Sequence, residues 1–165
     1  MKKVIVIGCP GSGKSTFSRA LHEVTGIPLF HLDNMYWNAD KTTVEKSVFL
    51  GRLSEAMEQE EWIIDGNYSS TLEMRLEKCD TVFFLDIPTE VCLDGVAKRR
   101  GKARSDIPWV ETEEDEEFTA FIKDFAHSGR AQIYELIQKY PQKKVHIFTS
   151  HAQADDFLNN FPSRK

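Results

Sequence analysis

The sequence predicts an α/β fold in three layers, with a five-stranded parallel sheet covered by helices on both faces. Three observations carry this expectation. Five short apolar runs alternate with stretches whose apolar residues recur at helical spacing. The first run, Val4-Ile5-Val6-Ile7, is continuous and β-branched rather than alternating, as in a strand buried on both sides. Strands separated by helices pair in parallel through crossovers, and the switch between faces leaves a ligand-binding crevice at the carboxyl ends of the strands.

Each element has its own signal. Val4–Ile7 ends at Gly8, and Phe17, Leu21 and Val24 then mark a helix that Gly26-Ile27-Pro28 stops. Leu29–Leu32 reads as a second short strand. Thr42-x-x-Glu45 forms the pattern of a capping box before a helix with Val44, Val48, Phe49, Leu53 and Met57 on one face. Trp62-Ile63-Ile64 is a third strand, Ser70-x-x-Glu73 a cap for a short helix, and Thr81–Leu85 a fourth strand. Thr89 is the expected cap of a helix running into Arg99. Two helices follow, one with Phe118, Phe121, Ile122 and Phe125 on a face, the next with Ile133, Leu136, Ile137 and Tyr140. Val145–Phe148 is the fifth strand, and Phe157–Phe161 belongs to a terminal helix.

Composition bounds the function. A single domain over residues 1–165 suits this length, and 41% hydrophobic with 28% charged residues is ordinary globular usage. With 21 Lys+Arg against 26 Asp+Glu the net charge is −5, which disfavours nonspecific binding to DNA or to anionic membranes. No apolar run is long enough to span a bilayer, and Met1-Lys2-Lys3 opens no secretory signal. Cys9, Cys79 and Cys92 lie far apart and read as free thiols of a cytoplasmic protein.

The chemistry begins at Gly8-Cys9-Pro10-Gly11-Ser12-Gly13-Lys14-Ser15, a G-x-x-x-x-G-K-S string between a strand and a helix. Glycines let backbone N–H groups converge on phosphate oxygens at the positive end of a helix. Lys14 is placed to reach the β- and γ-phosphates, and the Ser15 hydroxyl to coordinate Mg²⁺. Gly8, Pro10, Gly11, Ser12, Gly13, Lys14, Ser15 and Thr16 are therefore the expected ATP-binding residues.

A wider set of motifs resembles the adenylate-kinase-like P-loop kinases. Asp65-Gly66 after Trp62-Ile63-Ile64 resembles the Asp-Gly that ends their third strand, and Asp86-Ile87-Pro88-Thr89-Glu90 their fourth-strand turn. His31-Leu32-Asp33-x-x-Tyr36-Trp37, Asp65-Gly66-Asn67-Tyr68-x-x-Thr71-Leu72-x-x-Arg75-Leu76 and Asp80-x-x-x-Phe84-Leu85-Asp86 are similar to the bacterial topology modulation (FlaR-like) branch of that superfamily. The resemblance covers residues 1 to about 150. It implies a P-loop NTPase fold with sheet order 2-3-1-4-5, a short lid at about 100–117, and use of ATP with Mg²⁺.

It also implies roles on the acceptor side. The Asp33 position faces the P-loop, where related kinases use an Asp to accept or position the attacking hydroxyl; the other reading is an Asp capping the next element. His31, two residues earlier on an extended segment, projects to the same side. Tyr36 either stacks on an acceptor or, with Trp37, seals the core. Asp65 completes the metal site begun by Ser15, with Asn67 and Tyr68 pointing into the pocket. Adenylate kinases hold the AMP phosphate with an Arg four residues after this Asp; here the residue is Ser69, and Arg75 either replaces it or lies on the surface. The arginine that stacks on adenine in those enzymes aligns with Gly95, which leaves Arg99 and the Thr149-Ser150-His151 loop to hold the base.

In the lid, Lys98, Arg99, Arg100, Lys102 and Arg104 place five cations in seven residues ahead of an acidic run from Glu111 to Glu117. Arg99 and Arg100 are expected to surround the triphosphate, and Arg130 to approach it from the helix beyond the lid. The acidic run either neutralises the open lid or caps the next helix. The expected activity is transfer of the γ-phosphate of ATP to a small-molecule acceptor: a nucleoside, a nucleotide or a hydroxylated metabolite. No stable nucleic-acid or membrane partner is expected, and the protein is a monomer or homodimer. The alternative is a nucleotide-dependent regulator of DNA topology or gene expression with weak ATPase activity.

Overall fold

The computed structural model describes residues 1–162. Its elements, in chain order, are β1 (Lys3–Gly8), α1 (Lys14–Thr25), β2 (Leu29–His31), α2 (Leu32–Tyr36), α3 (Lys46–Glu58), β3 (Trp62–Asp65) and α4 (Ser69–Lys78). They continue with β4 (Thr81–Leu85), α5 (Thr89–Arg99), α6 (Glu116–Phe125), α7 (Gly129–Gln138), β5 (Lys144–Phe148) and α8 (His151–Asn159). The strands form one parallel sheet in the order β2-β3-β1-β4-β5.

The central strands are apolar because both faces are covered. Val4, Ile5, Val6, Ile7, Ile63, Ile64 and Phe83 are fully buried. The register aligns Val6 with Asp65, and His31 with Asp65, so two carboxyl-terminal strand ends meet at one point beside the P-loop. Phe17 of α1 packs on Phe83 and Phe148, which anchors the helix that carries Lys14 and Ser15. All three cysteines are buried and free. No helix among the described residues is long and apolar enough to cross a membrane.

Several local expectations are corrected. β2 stops at His31, and Leu32–Tyr36 turns into the short helix α2, so Asp33 sits on a helix and not on an extended segment beside His31. The Thr42 capping box does not form: the Thr42 backbone N–H and hydroxyl both donate to Asp40, and Glu45 precedes α3 with no side-chain cap. Val48 faces outward while Phe49, Leu53, Ala56 and Met57 make the buried stripe. Ser70 lies inside α4, which starts after Tyr68 in a left-handed conformation (φ 33°), and Thr89 is the first residue of α5, after Pro88. Phe121 is 54% exposed. The last helix begins at His151, where the Ser150 hydroxyl accepts from Gln153 N.

Residues 100–115, most of the segment expected as a lid, form no helix or strand. Its base is closed by a backbone bond from Gly101 N to Glu111 O, and its far end is capped by Asp115, whose carboxylate accepts from Phe118 N at 3.1 Å. The acidic run thus divides: Asp115 serves the next helix, and Glu111 meets the cations Arg99 and Arg104. The lid tip rests on the body of the fold: Asn34 Nδ2 donates to Ser105 O at 2.7 Å, and Arg19 Nη1 to Ser105 Oγ at 3.2 Å.

Candidate active site

The P-loop bends between β1 and α1 through Gly11 (φ 80°) and Gly13 (φ 93°), both in the left-handed region that favours glycine. Ser12 N donates to Cys9 O at 3.0 Å, and His151 Nε2 to Ser12 O at 2.9 Å. Gly95 has a packing role: a Cβ there would stand 2.4 Å from Gly11 O, so α5 lies directly on the loop. No side chain fits where the adenine-stacking arginine of adenylate kinases would be. Lys14, Asp33, Tyr68, Arg99, Arg100 and His151 all line the cleft above this loop.

Beside Lys14 stands a cluster of oxygens. The Ser15 hydroxyl donates to Asp65 Oδ2 at 2.7 Å, and His31 Nδ1 donates to the same oxygen at 2.7 Å. Asp106, reaching in from the lid, puts Oδ2 3.3 Å from Ser15 Oγ and is itself buried. Asp65 Oδ1 is buried with no hydrogen-bond partner among the described residues. A buried carboxylate oxygen left bare beside a hydroxyl and a second carboxylate is an all-oxygen set that suits a hard divalent cation. Burial alone would raise the proton affinity of Asp65. The His31 hydrogen bond, the Lys14 charge and the Ser15 hydroxyl outweigh burial, and the net shift is downward, so the carboxylate form is held.

Asp33 has the opposite electrostatics. Burial raises its proton affinity more than the Tyr68 hydroxyl bond and Lys14 lower it, with Asp65 and Asp106 adding to the rise. Tyr68 donates to Asp33 Oδ1, and burial next to that carboxylate pushes the phenol well up, so it stays a donor. A carboxylate with raised basicity, oriented by a fixed donor and facing the P-loop lysine, can take a proton from a hydroxyl.

The lid supplies cations with spare donors. Arg99 Nε meets Glu111 at 3.5 Å and Arg104 Nη1 meets the same carboxylate at 3.8 Å. Arg99 Nε, Arg104 Nε and Arg104 Nη1 are buried without a hydrogen bond. Burial, then the Arg104 charge, lower the Arg99 pKa. These guanidinium nitrogens face Glu111 and Asp106 in long ion pairs of 3.5–3.8 Å, and both guanidinium groups line the cleft, where phosphate oxygens would compete for them.

Not every expected residue reaches the cleft. Arg75 neither replaces the missing phosphate arginine nor lies on the surface. It is fully buried, donating to the carbonyls of Gly66 (2.9 Å), Asn67 and Tyr68 (3.4 Å), and burial lowers its pKa to about 10. Arg130 pairs with Asp86 at 2.8 and 2.9 Å and lines a smaller hollow on the other side of Cys9. Asn67 borders the cleft, but its amide is engaged with both Gly8 N and Gly8 O. Tyr36 packs behind the wall, edge-on to Trp37, Phe49 and Tyr68. Reading the sequence missed Asp106 and Trp109, which nothing but lid placement brings to the site. Trp109 meets Trp37 at 5.4 Å.

A family model described as an AAA domain matches residues 4–119. The chain belongs to the AAA domain family. This AAA domain chain is similar to the adenylate kinase of Thermotoga maritima, 30% identical over 109 residues, which are 62% of this chain and 49% of that enzyme. It is also similar to the adenylate kinase of Thermosipho africanus, 27% identical over 146 residues, 84% of this chain and 67% of that one. It thus spans about half the length of the Thermotoga maritima relative. Among solved structures, shikimate kinase from Acinetobacter baumannii in complex with shikimate superposes with a TM-score of 0.63 at 18% identity, covering 96% of this chain and 89% of that one. Deoxyadenosine kinase from M. mycoides with bound dATP gives 0.57 at 17% identity, covering 96% and 98%. The AAA domain here therefore has the fold of the adenylate-kinase-like P-loop kinases, in the sheet order that the sequence motifs implied.

Proposed function

We propose that this chain transfers the γ-phosphoryl group of ATP to a hydroxyl of a small molecule. The observation that carries the reading is Asp33: a carboxylate with raised basicity, held by Tyr68, in the same cleft as Lys14 of the P-loop. The acceptor oxygen gives its proton to Asp33 and forms a bond to the γ-phosphorus. The bond from that phosphorus to the β–γ bridging oxygen breaks, and ADP leaves with the electron pair. Gly8 to Thr16 hold the phosphates. Lys14, Arg99, Arg100 and Arg104 neutralise charge that develops on the transferring group.

Ser15, Asp65 and Asp106 would hold Mg²⁺, which supplies charge neutralisation at the phosphate oxygens when bound. His31 keeps Asp65 ionised and turned toward Ser15. The lid, resting on Arg19 and Asn34, excludes water that would otherwise hydrolyse ATP. The adenylate kinase relatives support a nucleotide-using phosphotransferase.

The test is ATP consumption by the purified chain with nucleosides, nucleotides and small polyols, each with and without Mg²⁺. Stimulation by one acceptor class, lost in Asp33→Asn, is the expected result. ATP hydrolysis that no acceptor stimulates, joined to tight sequence-selective DNA binding at 0.15 M salt, would replace this reading with the regulator.

A further inference from the structure

The acceptor end of the cleft has a definite chemical character. One wall is aromatic: Trp37 follows α2, Tyr68 precedes α4, and Trp109 comes from the lid, and all three line the cleft with Asp33. The two indoles meet edge to face at 5.4 Å and 80°. Behind them, Tyr36 stands 5.3 Å from Trp37 and 5.1 Å from Tyr68, and Phe49 is 5.3 Å from Tyr68. These rings fix the wall, so Trp37 and Trp109, each half-buried, offer a preformed surface. Leu72 and Ile107 extend it with apolar surface.

At the ring wall the acidic group is Asp33, bonded to Tyr68. Asp33 and Asp65 lie within electrostatic reach of Lys14, which the triphosphate would occupy, while Asp65 and Asp106 both meet Ser15 at the metal-suited cluster. The cation best placed by sequence to balance an acceptor phosphate, Arg75, is buried beneath the loop with its donors on backbone carbonyls. The residue four beyond Asp65 is Ser69. Arg104 faces Glu111 and Asp106, and Lys41 stands exposed at the rim. A dianionic acceptor would meet the Asp33 carboxylate without a pairing arginine, which neither Ser69 nor the buried Arg75 supplies.

We infer that the acceptor is an uncharged alcohol carrying a flat ring, of the nucleoside class, with the ring against the Trp37–Tyr68–Trp109 wall and the hydroxyl at Asp33. The inference deepens the phosphotransferase reading and rests on it for the role of Asp33. The wall itself is independent of that role. A polyol has no ring face to lay on the indoles, and a nucleoside monophosphate brings a phosphate toward the Asp33 carboxylate with neither Ser69 nor Arg75 to pair it. An amino alcohol would instead use the rings as a cation site.

The test follows intrinsic fluorescence of the full chain at saturating non-hydrolysable ATP analogue, which keeps free nucleosides out of the donor site. Trp62 is fully buried in β3, so Trp37 and Trp109 report on the acceptor end. Nucleosides, their 5′-monophosphates, myo-inositol and ethanolamine are titrated in turn, and the same compounds are offered with labelled ATP. Nucleosides are expected to bind at least tenfold tighter than the other three classes. Trp109→Leu and Trp37→Leu should each weaken nucleoside binding tenfold or more, and Trp37→Phe should restore most of the loss. Melting temperature and ATP-analogue binding, measured on each variant, report whether the chain still folds, and Trp37→Phe carries the test if a leucine variant does not. Tighter binding of a monophosphate, the polyol or the amine, or nucleoside binding that ignores both substitutions, overturns the inference. Nucleosides that bind the wall but accept no phosphate would support this inference and sink the phosphotransferase reading. Transfer to myo-inositol alone would do the reverse.

Discussion

The donor and acceptor halves of the cleft are built from different material. The donor half is one contiguous stretch, residues 8–16, and works mainly through backbone N–H groups, a helix end and one lysine. The acceptor half is assembled from three separated segments, which contribute Asp33 and Trp37, Asp65 and Tyr68, Asp106 and Trp109, and it works through side chains. A phosphate cradle made of backbone serves any nucleoside triphosphate. A pocket made of side chains is where one chain of this fold differs from another. Specificity therefore resides in the acceptor half, and so does sensitivity to substitution.

Single substitutions sharpen that contrast, and the largest effect is expected at Asp33. Asp33→Asn should lower acceptor-dependent turnover by roughly 10²–10⁴-fold and leave ATP affinity nearly unchanged. The pH profile gives a second measurement. The folded chain raises the Asp33 proton affinity, so the base form is lost on acidification at a pH above the ordinary aspartate value of 3.8. The rate of the parent should fall there, and Asp33→Asn should lack that acidic limb. The same raised value means that ionising Asp33 opposes folding. Its cost is absent below the unfolded carboxylate pKa and develops as pH rises through the folded one.

Lys14→Ala is the counterpart on the donor side. It should weaken ATP binding or transfer by about 10²–10³-fold while acceptor binding, read by fluorescence, is retained. If Asp33→Asn and Lys14→Ala damaged both affinities alike, the two halves would not be separable.

Arg75→Met tests whether the acceptor half depends on a buried support. Three loop carbonyls would lose their donor, and stability measured by urea unfolding should drop by roughly 3 kcal/mol. Survival of full stability would mean that the Gly66–Tyr68 loop holds itself. The smallest effect belongs to the lid. Asp106→Asn should raise the Mg²⁺ concentration needed for half-maximal activity by about tenfold, without altering the melting temperature. An unchanged Mg²⁺ dependence would confine Asp106 to holding the lid on Ser15.

How much of this was legible follows the same division. The P-loop was readable because its residues are adjacent and its chemistry needs a fixed spacing. Asp65 was readable because it ends a strand beside the P-loop in a parallel sheet, and Ser15 because it belongs to the P-loop string; Asp33 lies on α2, just beyond the end of β2. Arg75 was misassigned because a long cationic side chain in an amphipathic helix reads as surface or pocket. Its burial depends on three carbonyls that only the turned Gly66–Tyr68 loop presents. Arg130 pairs with Asp86, 44 residues away, a partner that spacing in the chain does not reveal. The Thr42 and Ser70 caps failed because the same side chains had closer alternatives or lay inside the helix.

By itself the sequence determined the sheet, its helices and the phosphate loop. These rest on the periodicity of apolar residues and on local backbone geometry, both of which are properties of neighbours in the chain. Tertiary structure alone decided that Asp106 and Trp109 come down from the lid, that His31 turns to Asp65, and that Arg75 and Arg130 are spent elsewhere. Those outcomes depend on which distant groups arrive within hydrogen-bonding reach, and a polar side chain takes the nearest buried partner that desolvation leaves unsatisfied.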